Sequence, residues 1–303
     1  MSNKNKTRCG FVALVGRPNV GKSTLLNHLM GQKLSITSRK PQTTQHEIRA
    51  ILSEGAVQVV FVDTPGMNNR LKQPLNRCLN KTALLTLSQV DVVVWVIEAG
   101  VWTDLEDWIL SELAAVNVPV IAALNKIDRM TKKEGLLPFL AELSERRAFK
   151  SLVPVSALKS IQVDVLKREM IACLPEGPFL YHTDQCLDRG VDFQIAEVVR
   201  EKIVRQMGDE IPYIQTVQIE KLDMRRRAMT VHALIIVERL SHKRMLIGHQ
   251  GRRIKRIGIQ AREDLEQRFQ RHVDLRLWVK IKPDWTRRPE QIASFGIGYH
   301  ADE

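Results

Sequence analysis

Residues 11–30 read FVALVGRPNVGKSTLLNHLM. A short apolar run, Phe11 to Val15, stops at a glycine, and an apolar-periodic segment starts again at Ser23. Between them Gly16 to Ser23, GRPNVGKS, follow the spacing G-x-x-x-x-G-K-[ST]. Strand, glycine-bracketed loop and helix, in that order, are the setting in which this spacing forms a phosphate-binding loop. Glycines at 16 and 21 let the backbone wrap an anion, and the N–H groups of the loop and of the helix start attract it. Lys22 can neutralise charge on the β- and γ-phosphates, and the Ser23 hydroxyl can ligate Mg²⁺. Gly16, Arg17, Pro18, Asn19, Val20, Gly21, Lys22, Ser23 and Thr24 are therefore the candidate phosphate-binding residues.

Two further motifs follow predicted strands. Asp63, Thr64, Pro65 and Gly66 (DTPG) come directly after VVFV, which puts Asp63 at the carboxyl edge of a sheet, where open α/β sheets bind ligands. From there Asp63 can hold the Mg²⁺ shell through water, and Gly66 can offer its N–H to a γ-phosphate because no Cβ blocks the approach. Asn125, Lys126, Ile127 and Asp128 (NKID) come after VIAAL. A carboxylate at Asp128 can accept both the N1–H and the N2 amino protons of guanine. Adenine offers an acceptor at N1 and no N2 amine, a buried mismatch that can discriminate by roughly 10⁴ or more. Ser156, Ala157 and Leu158, after LVPV, complete a base pocket through backbone N–H groups. The motifs imply GTP and GDP as ligands.

Between the phosphate loop and DTPG lies SITSRKPQTTQHE, residues 35–47, polar and irregular as a loop must be to order around a γ-phosphate and its metal. Thr43 and Thr44 are both candidates for a second metal hydroxyl, with Thr44 favoured; Ser23, Thr44 and Asp63 then form the Mg²⁺ set. Lys22, Thr44, Gly66 and Asn19 are the candidate catalytic residues. Met67 follows DTPG. Many small GTPases carry there a glutamine that orients the attacking water, which an apolar side chain cannot do.

At 303 residues two domains are expected. The first 175 residues alternate β-branched runs with helix-period segments, the rhythm of a doubly wound, mainly parallel α/β sheet. Its expected strands are Phe11 to Val15, Ile48 to Ser53, Val57 to Val62, Asp91 to Ile97, Val118 to Leu124 and Leu152 to Val155. A stretch with Pro175, Gly177 and Pro178 and no periodicity predicts a linker over 176–189. Residues 190–303 then predict a smaller α+β domain. Its order is a helix from Phe193 to Gln206, strands Tyr213 to Leu222 and Met229 to Glu238 joined by an arginine turn, two helices, and a strand from Val273 to Ile281.

The chain carries a formal net charge of +12. Between Lys221 and Arg256 eleven Lys or Arg stand against two acids, a net +9 in 36 residues. Inside this segment lies Gly248-His249-Gln250-Gly251, a G-x-x-G turn between the two helices, and the second helix opens with Arg252, Arg253, Lys255 and Arg256. In α-β-β-α-α-β order this matches a type II KH module, which clamps single-stranded nucleotides against such a turn. Lys243, Ile247, Gly248, His249, Gln250, Gly251, Arg252, Arg253, Lys255 and Arg256 are the candidate RNA contacts. The charge alone would also permit an anionic membrane surface as partner.

Four cysteines without a C-x-x-C pair suit a reducing compartment. The N-terminus MSNKNKTR is polar and basic, and the most apolar stretch, Val92 to Ile97, is too short to span a bilayer, so a cytoplasmic location is expected.

The motifs GRPNVGKS, QTTQ, DTPG, NKID and SAL, followed by IGHQGRRIKRIG, together resemble the Era family of bacterial ribosome-assembly GTPases, over almost the whole chain. The resemblance implies binding near the 3′ end of 16S ribosomal RNA and a role in assembly of the 30S subunit; no obligate protein partner is inferred. It also implies peripheral contact with the inner membrane, and a K⁺ ion held beside the phosphates by Asn19 in place of the missing glutamine's contribution. Two positions depart from the family pattern: His249-Gln250 where a basic residue is common, and Gln45 where an arginine commonly follows the threonine pair.

Overall fold

The computed structural model of the protein describes residues 7–38, 40, 43–69, 73–130, 133–207 and 215–298. Its N-terminal half is built on six strands: β1 (Arg8–Val15), β2 (Ile48–Glu54), β3 (Val57–Asp63), β4 (Val92–Glu98), β5 (Val120–Asn125) and β6 (Ser151–Pro154). They form one sheet in the order β2-β3-β1-β4-β5-β6, parallel except for the antiparallel β2–β3 hairpin. The expected strands are all present, displaced by three residues or fewer at their ends.

Both faces of this sheet are covered, which is why the central strands β4 and β5 are continuous apolar runs, VVVWVI and VIAAL, with no alternation. One face packs on α1 (Lys22–Leu29) and α5 (Val163–Cys173), through residues such as Leu25, Leu26 and Leu166. The other packs on α2 (Pro74–Leu87), α3 (Asp104–Leu113) and α4 (Leu136–Arg146), through Ala83, Ile109 and Leu143 around Trp95. Helix α3 starts from a capping box in which Thr103 and Glu106 satisfy each other's backbone donors.

Residues 176–188 are strapped along the sheet rather than free of it. Gly177 N–H donates to the Thr7 carbonyl at 3.0 Å, Ile51 N–H to Cys186 at 3.0 Å, and Asp188 N–H to Arg49 at 3.1 Å. Gln58 ties down the middle by accepting from the N–H groups of Leu180 and Tyr181.

The C-terminal half runs α6 (Val191–Gln206), β7 (Gln215–Met224), β8 (Ala228–Val237), α7 (Leu240–Ile247), α8 (Arg252–Phe269) and β9 (His272–Ile281), the expected α-β-β-α-α-β order. Tyr213, where the first of its strands was expected to begin, lies outside the described residues. The sheet order is β7-β8-β9, with β8 antiparallel to β7 and parallel to β9. Ile195, Val199, Ile203, Leu246, Ile257 and Leu265 close its inner face. A last segment with α9 (Pro289–Ser294), not foreseen, turns back onto the N-terminal half: Trp285, Ile292 and Ile297 bury against Leu75 and Leu79 of α2 and Ile236 of β8. Among the described residues no helix is long and apolar enough to cross a membrane.

Candidate functional site

The carboxyl ends of β1, β3 and β5 deliver the three motifs to one rim of the sheet, around a cavity of about 1000 Å³. The loop after β1 needs its glycines. Gly16 and Gly21 have φ of 146° and 104°, and a Cβ would lie 2.3 Å from the Val96 carbonyl oxygen and from Asn125 Nδ2, respectively. Asn19 is also left-handed, at φ 65°. Lys22 is buried, with Nζ donating to the carbonyls of Gly16 at 3.0 Å and Arg17 at 3.1 Å, folding the loop around its own ammonium. Burial pulls its pKa down to about 8 against the opposing pull of Asp63. A polyphosphate in the loop would supply the counter-charge that this ammonium needs.

Beside Lys22, Ser23 Oγ lies 2.8 Å from Asp63 Oδ2 and 3.1 Å from Thr44 Oγ1. Ser35 Oγ also donates to Asp63 Oδ2, at 2.8 Å. Asp63 is fully buried and its Oδ1 has no hydrogen-bond partner among the described residues. Burial pushes its carboxyl pKa up, with Lys22 and the two serines pulling back. Two hydroxyls and a carboxylate with an unspent oxygen make the hard, all-oxygen donor set that Mg²⁺ takes. Thr43 turns elsewhere, its hydroxyl bonding Ser38 Oγ and the Lys40 carbonyl.

Gly66 packs so closely on the phosphate loop that a Cβ would lie 2.8 Å from Pro18 Cα. Met67 is wholly buried in the core with Val15 and Trp95, and its N–H donates to the Gly16 carbonyl at 3.1 Å. The side chain that follows DTPG is thus absent from the cavity altogether.

At the base end, Asn125 Nδ2 donates to the Val20 carbonyl at 2.7 Å, and Oδ1 accepts from Ala157 N–H at 2.9 Å. Asp128 is exposed at the mouth, held by Ser156 Oγ at 2.5 Å. Lys126, at φ 67°, directs Nζ to Glu98 Oε2 at 2.8 Å. Burial would raise the Glu98 pKa, yet Lys126 and Arg17 outweigh it and the carboxyl lies below its usual range.

Most of the sequence-predicted residues line the cavity: Pro18, Asn19, Gly21, Lys22, Ser23, Thr24, Thr44, Gly66, Asn125, Lys126, Asp128, Ala157 and Leu158. Several others belong to its frame instead. The Arg17 side chain is turned onto Glu98 at 3.0 Å and Glu106 at 2.6 Å. Thr64 donates to the Leu14 carbonyl at 2.9 Å, and Val20 and Pro65 are buried. Motif reasoning missed Ser35, and it missed Val204 and Arg205, which line the cavity from α6 of the C-terminal half. Local spacing carries no signal for contacts made across 160 residues.

The second candidate surface is the turn between α7 and α8. Gly248 and Gly251 have φ of 74° and 75°, and Gln250 is also left-handed at 49°. A Cβ at Gly248 would lie 2.8 Å from Arg253 Cβ. His249, Gln250, Arg252, Lys255 and Arg256 are exposed, while Lys243 and Ile247 are half-buried beside them. Arg253 is committed within the turn, its Nη1 donating to the Met245 carbonyl at 2.5 Å.

A family model described as 50S ribosome-binding GTPase matches residues 11–126, and one described as KH domain matches residues 210–286. GTPase Era of Marinobacter nauticus is 49% identical over 292 residues, spanning 96% of each chain. GTPase Era of Pseudomonas fluorescens Pf-5 is 48% identical over 298 residues, 98% of this chain and 99% of that one. Among solved structures, a point variant of Aquifex aeolicus Era bound to GDP·AlF₄⁻ superimposes with a TM-score of 0.92 at 36% identity, covering 97% of this chain and all of that one. Era in complex with MgGDPNP and nucleotides 1506–1542 of 16S ribosomal RNA gives 0.93 at the same identity and coverage. With nearly half its residues shared with the Marinobacter and Pseudomonas proteins along almost its entire length, and both halves of the solved relatives' architecture present, the chain belongs to the Era family of GTPases.

Proposed function

We propose that this protein hydrolyses GTP to GDP and phosphate, binds the 3′ part of 16S ribosomal RNA through its C-terminal domain, and acts in assembly of the small ribosomal subunit. The carrying observation is the convergence of Lys22 and the Ser23 and Thr44 hydroxyls on one cavity, with the Asp63 carboxylate buried against Ser23, in a chain that also holds the Gly248–Gly251 turn. That the relative described above was captured with MgGDPNP and 16S RNA supports both halves of the reading.

In this reading Ser23 and Thr44 ligate Mg²⁺ directly and Asp63 holds its shell through water. When bound, the ion neutralises charge on the β- and γ-phosphates. Lys22 adds a second positive charge, the Gly66 N–H meets the γ-phosphate, and Asp128 reads guanine with Asn125 fixing its loop. Since Met67 is buried in the core, the attacking water needs another positioner, and K⁺ held by Asn19 is the finer assignment. Residues 1–175 are the nucleotide domain, 176–189 the connecting strap and 190–303 the RNA-binding domain.

The test is GTP turnover and gel shift on one preparation. Hydrolysis that requires Mg²⁺, runs faster in K⁺ than in Na⁺, and is lost in Ser23→Ala is the expected result, together with a shift of an RNA carrying the 3′ end of 16S. A protein that shifts RNA but releases no phosphate in either salt would be an RNA-binding module with a vestigial pocket.

A further inference from the structure

Helix α6 belongs to the RNA-binding half, yet one stripe of it faces the loop that holds Thr44. Glu197, Arg200, Glu201 and Arg205 recur at helical spacing on that stripe. Arg200 is only 1% exposed and grips Glu197 with two parallel bonds, Nε to Oε1 at 2.6 Å and Nη2 to Oε2 at 2.8 Å. The same Nη2 donates to the backbone carbonyl of Thr43. Glu201, fully buried, pairs with Lys33 at 2.6 Å and Arg205 at 2.7 Å, and Arg205 reaches the Thr37 carbonyl at 3.3 Å.

The Thr43 carbonyl and the Thr44 N–H are two ends of one rigid peptide plane. A donor that fixes the carbonyl therefore fixes the Cα from which the Thr44 hydroxyl projects, 3.1 Å from Ser23 Oγ. A guanidinium already locked by a bidentate carboxylate is a stiff donor, since its fork is pre-organised and buried.

We infer that Arg200 is a positioning residue for the metal site: the RNA-binding domain, through Arg200 braced by Glu197, holds Thr44 in place as a Mg²⁺ ligand. The inference rests on the reading of Ser23, Thr44 and Asp63 as the metal set. It gives that site a part supplied from the other domain, so docking of α6 and metal binding with GTP reinforce each other by linkage.

The experiment uses full-length protein and titrates Mg²⁺ against fluorescent GDPNP and, separately, fluorescent GDP. Thr44 lies on a loop that orders around the γ-phosphate, so only the GDPNP complex depends on it. Arg200→Lys keeps the charge and loses the fork; it should raise the half-saturating Mg²⁺ for GDPNP about tenfold, as loss of an outer support for a metal ligand does, and leave the GDP curve in place. Arg200→Met paired with Glu197→Leu removes the buried charges together and should do the same. In a Thr44→Ala background either change should cost little more, because Arg200 acts on the metal only through Thr44.

An equal shift for GDP and GDPNP, or fully additive effects with Thr44→Ala, would show Arg200 to be only an interdomain fastening and overturn the inference. Failure of the wild type to bind GDPNP with Mg²⁺ would instead overturn the reading of the metal set beneath it.

Discussion

Asn125 and Val20 are joined by a hydrogen bond of 2.7 Å from the Asn125 side-chain amide to the Val20 carbonyl, which fastens the NKID loop after β5 to the glycine-bracketed loop after β1. The other end of the same amide holds Ala157. One side chain, 2% exposed, thereby sets the spacing of the loops that would hold the two ends of a bound nucleotide in the proposed reading.

Replacing Asn125 with alanine leaves a buried carbonyl and a buried N–H without this partner, at about 1–3 kcal/mol each. The expected result is a fall in GDP affinity of roughly a hundredfold, measured by calorimetry, together with a lowered thermal transition. An affinity within about threefold of wild type would mean the two loops hold their spacing without it.

Asp128 stands at the mouth of the pocket with one oxygen on Ser156, leaving the other for the base. In Asp128→Asn the amide can donate to the C2 carbonyl of xanthine, where guanine carries an amine. Competition binding should show preference moving from GTP to XTP; retention of the guanine preference would remove Asp128 from the base pocket.

The turn at Gly248–Gly251 separates two kinds of arginine. Arg252, exposed at the start of α8, is expected to meet phosphate, so Arg252→Ala should weaken binding of every RNA and lower the salt slope by about 0.7. Arg253 donates to the Met245 carbonyl, so Arg253→Ala should also lower the thermal transition of the C-terminal half. Aspartates at both His249 and Gln250 set carboxylates against the phosphates and should abolish the gel shift while GTP turnover persists. Unchanged RNA titrations in that double variant would move the RNA surface elsewhere.

Acid should destabilise the protein through Glu197. Burial raises its carboxyl pKa, but the charge and hydrogen bonds of Arg200 outweigh burial and the folded value lies below the usual range. Its stabilisation is therefore fully present above the unfolded carboxylate pKa, about 4.3, and is lost as pH falls through the lower folded value. Stability measured from about pH 6 down to about pH 3 should fall less steeply in Glu197→Gln than in wild type, from a lower starting point. Parallel profiles would show that this carboxyl carries no pH dependence.

The sequence by itself determined where the six strands of the nucleotide half lie along the chain, the three motifs and the helix-turn-helix around Gly248. Each is written in consecutive residues: a phosphate loop binds its anion through its own backbone N–H groups, and the strand before it decides where they point. Tertiary structure decided what depends on direction and distance. Of Thr43 and Thr44 only the second turns its hydroxyl to Ser23, because the first is held by Ser38 and Lys40. The Arg17 side chain leaves the pocket for Glu98 and Glu106, partners more than 80 residues away.

The stripe on α6 shows the limit most plainly. Glu197, Arg200, Glu201 and Lys202 look in sequence like a solvated helix face, since charged side chains lose hydration on burial and are normally exposed. All four are buried here, paired with one another or with Lys33 and Asp264. The contacts of Glu201 with Lys33 and of Arg200 with the Thr43 carbonyl span the two halves, so this part of the compensation exists only once the C-terminal half has docked against the loop that holds Thr44.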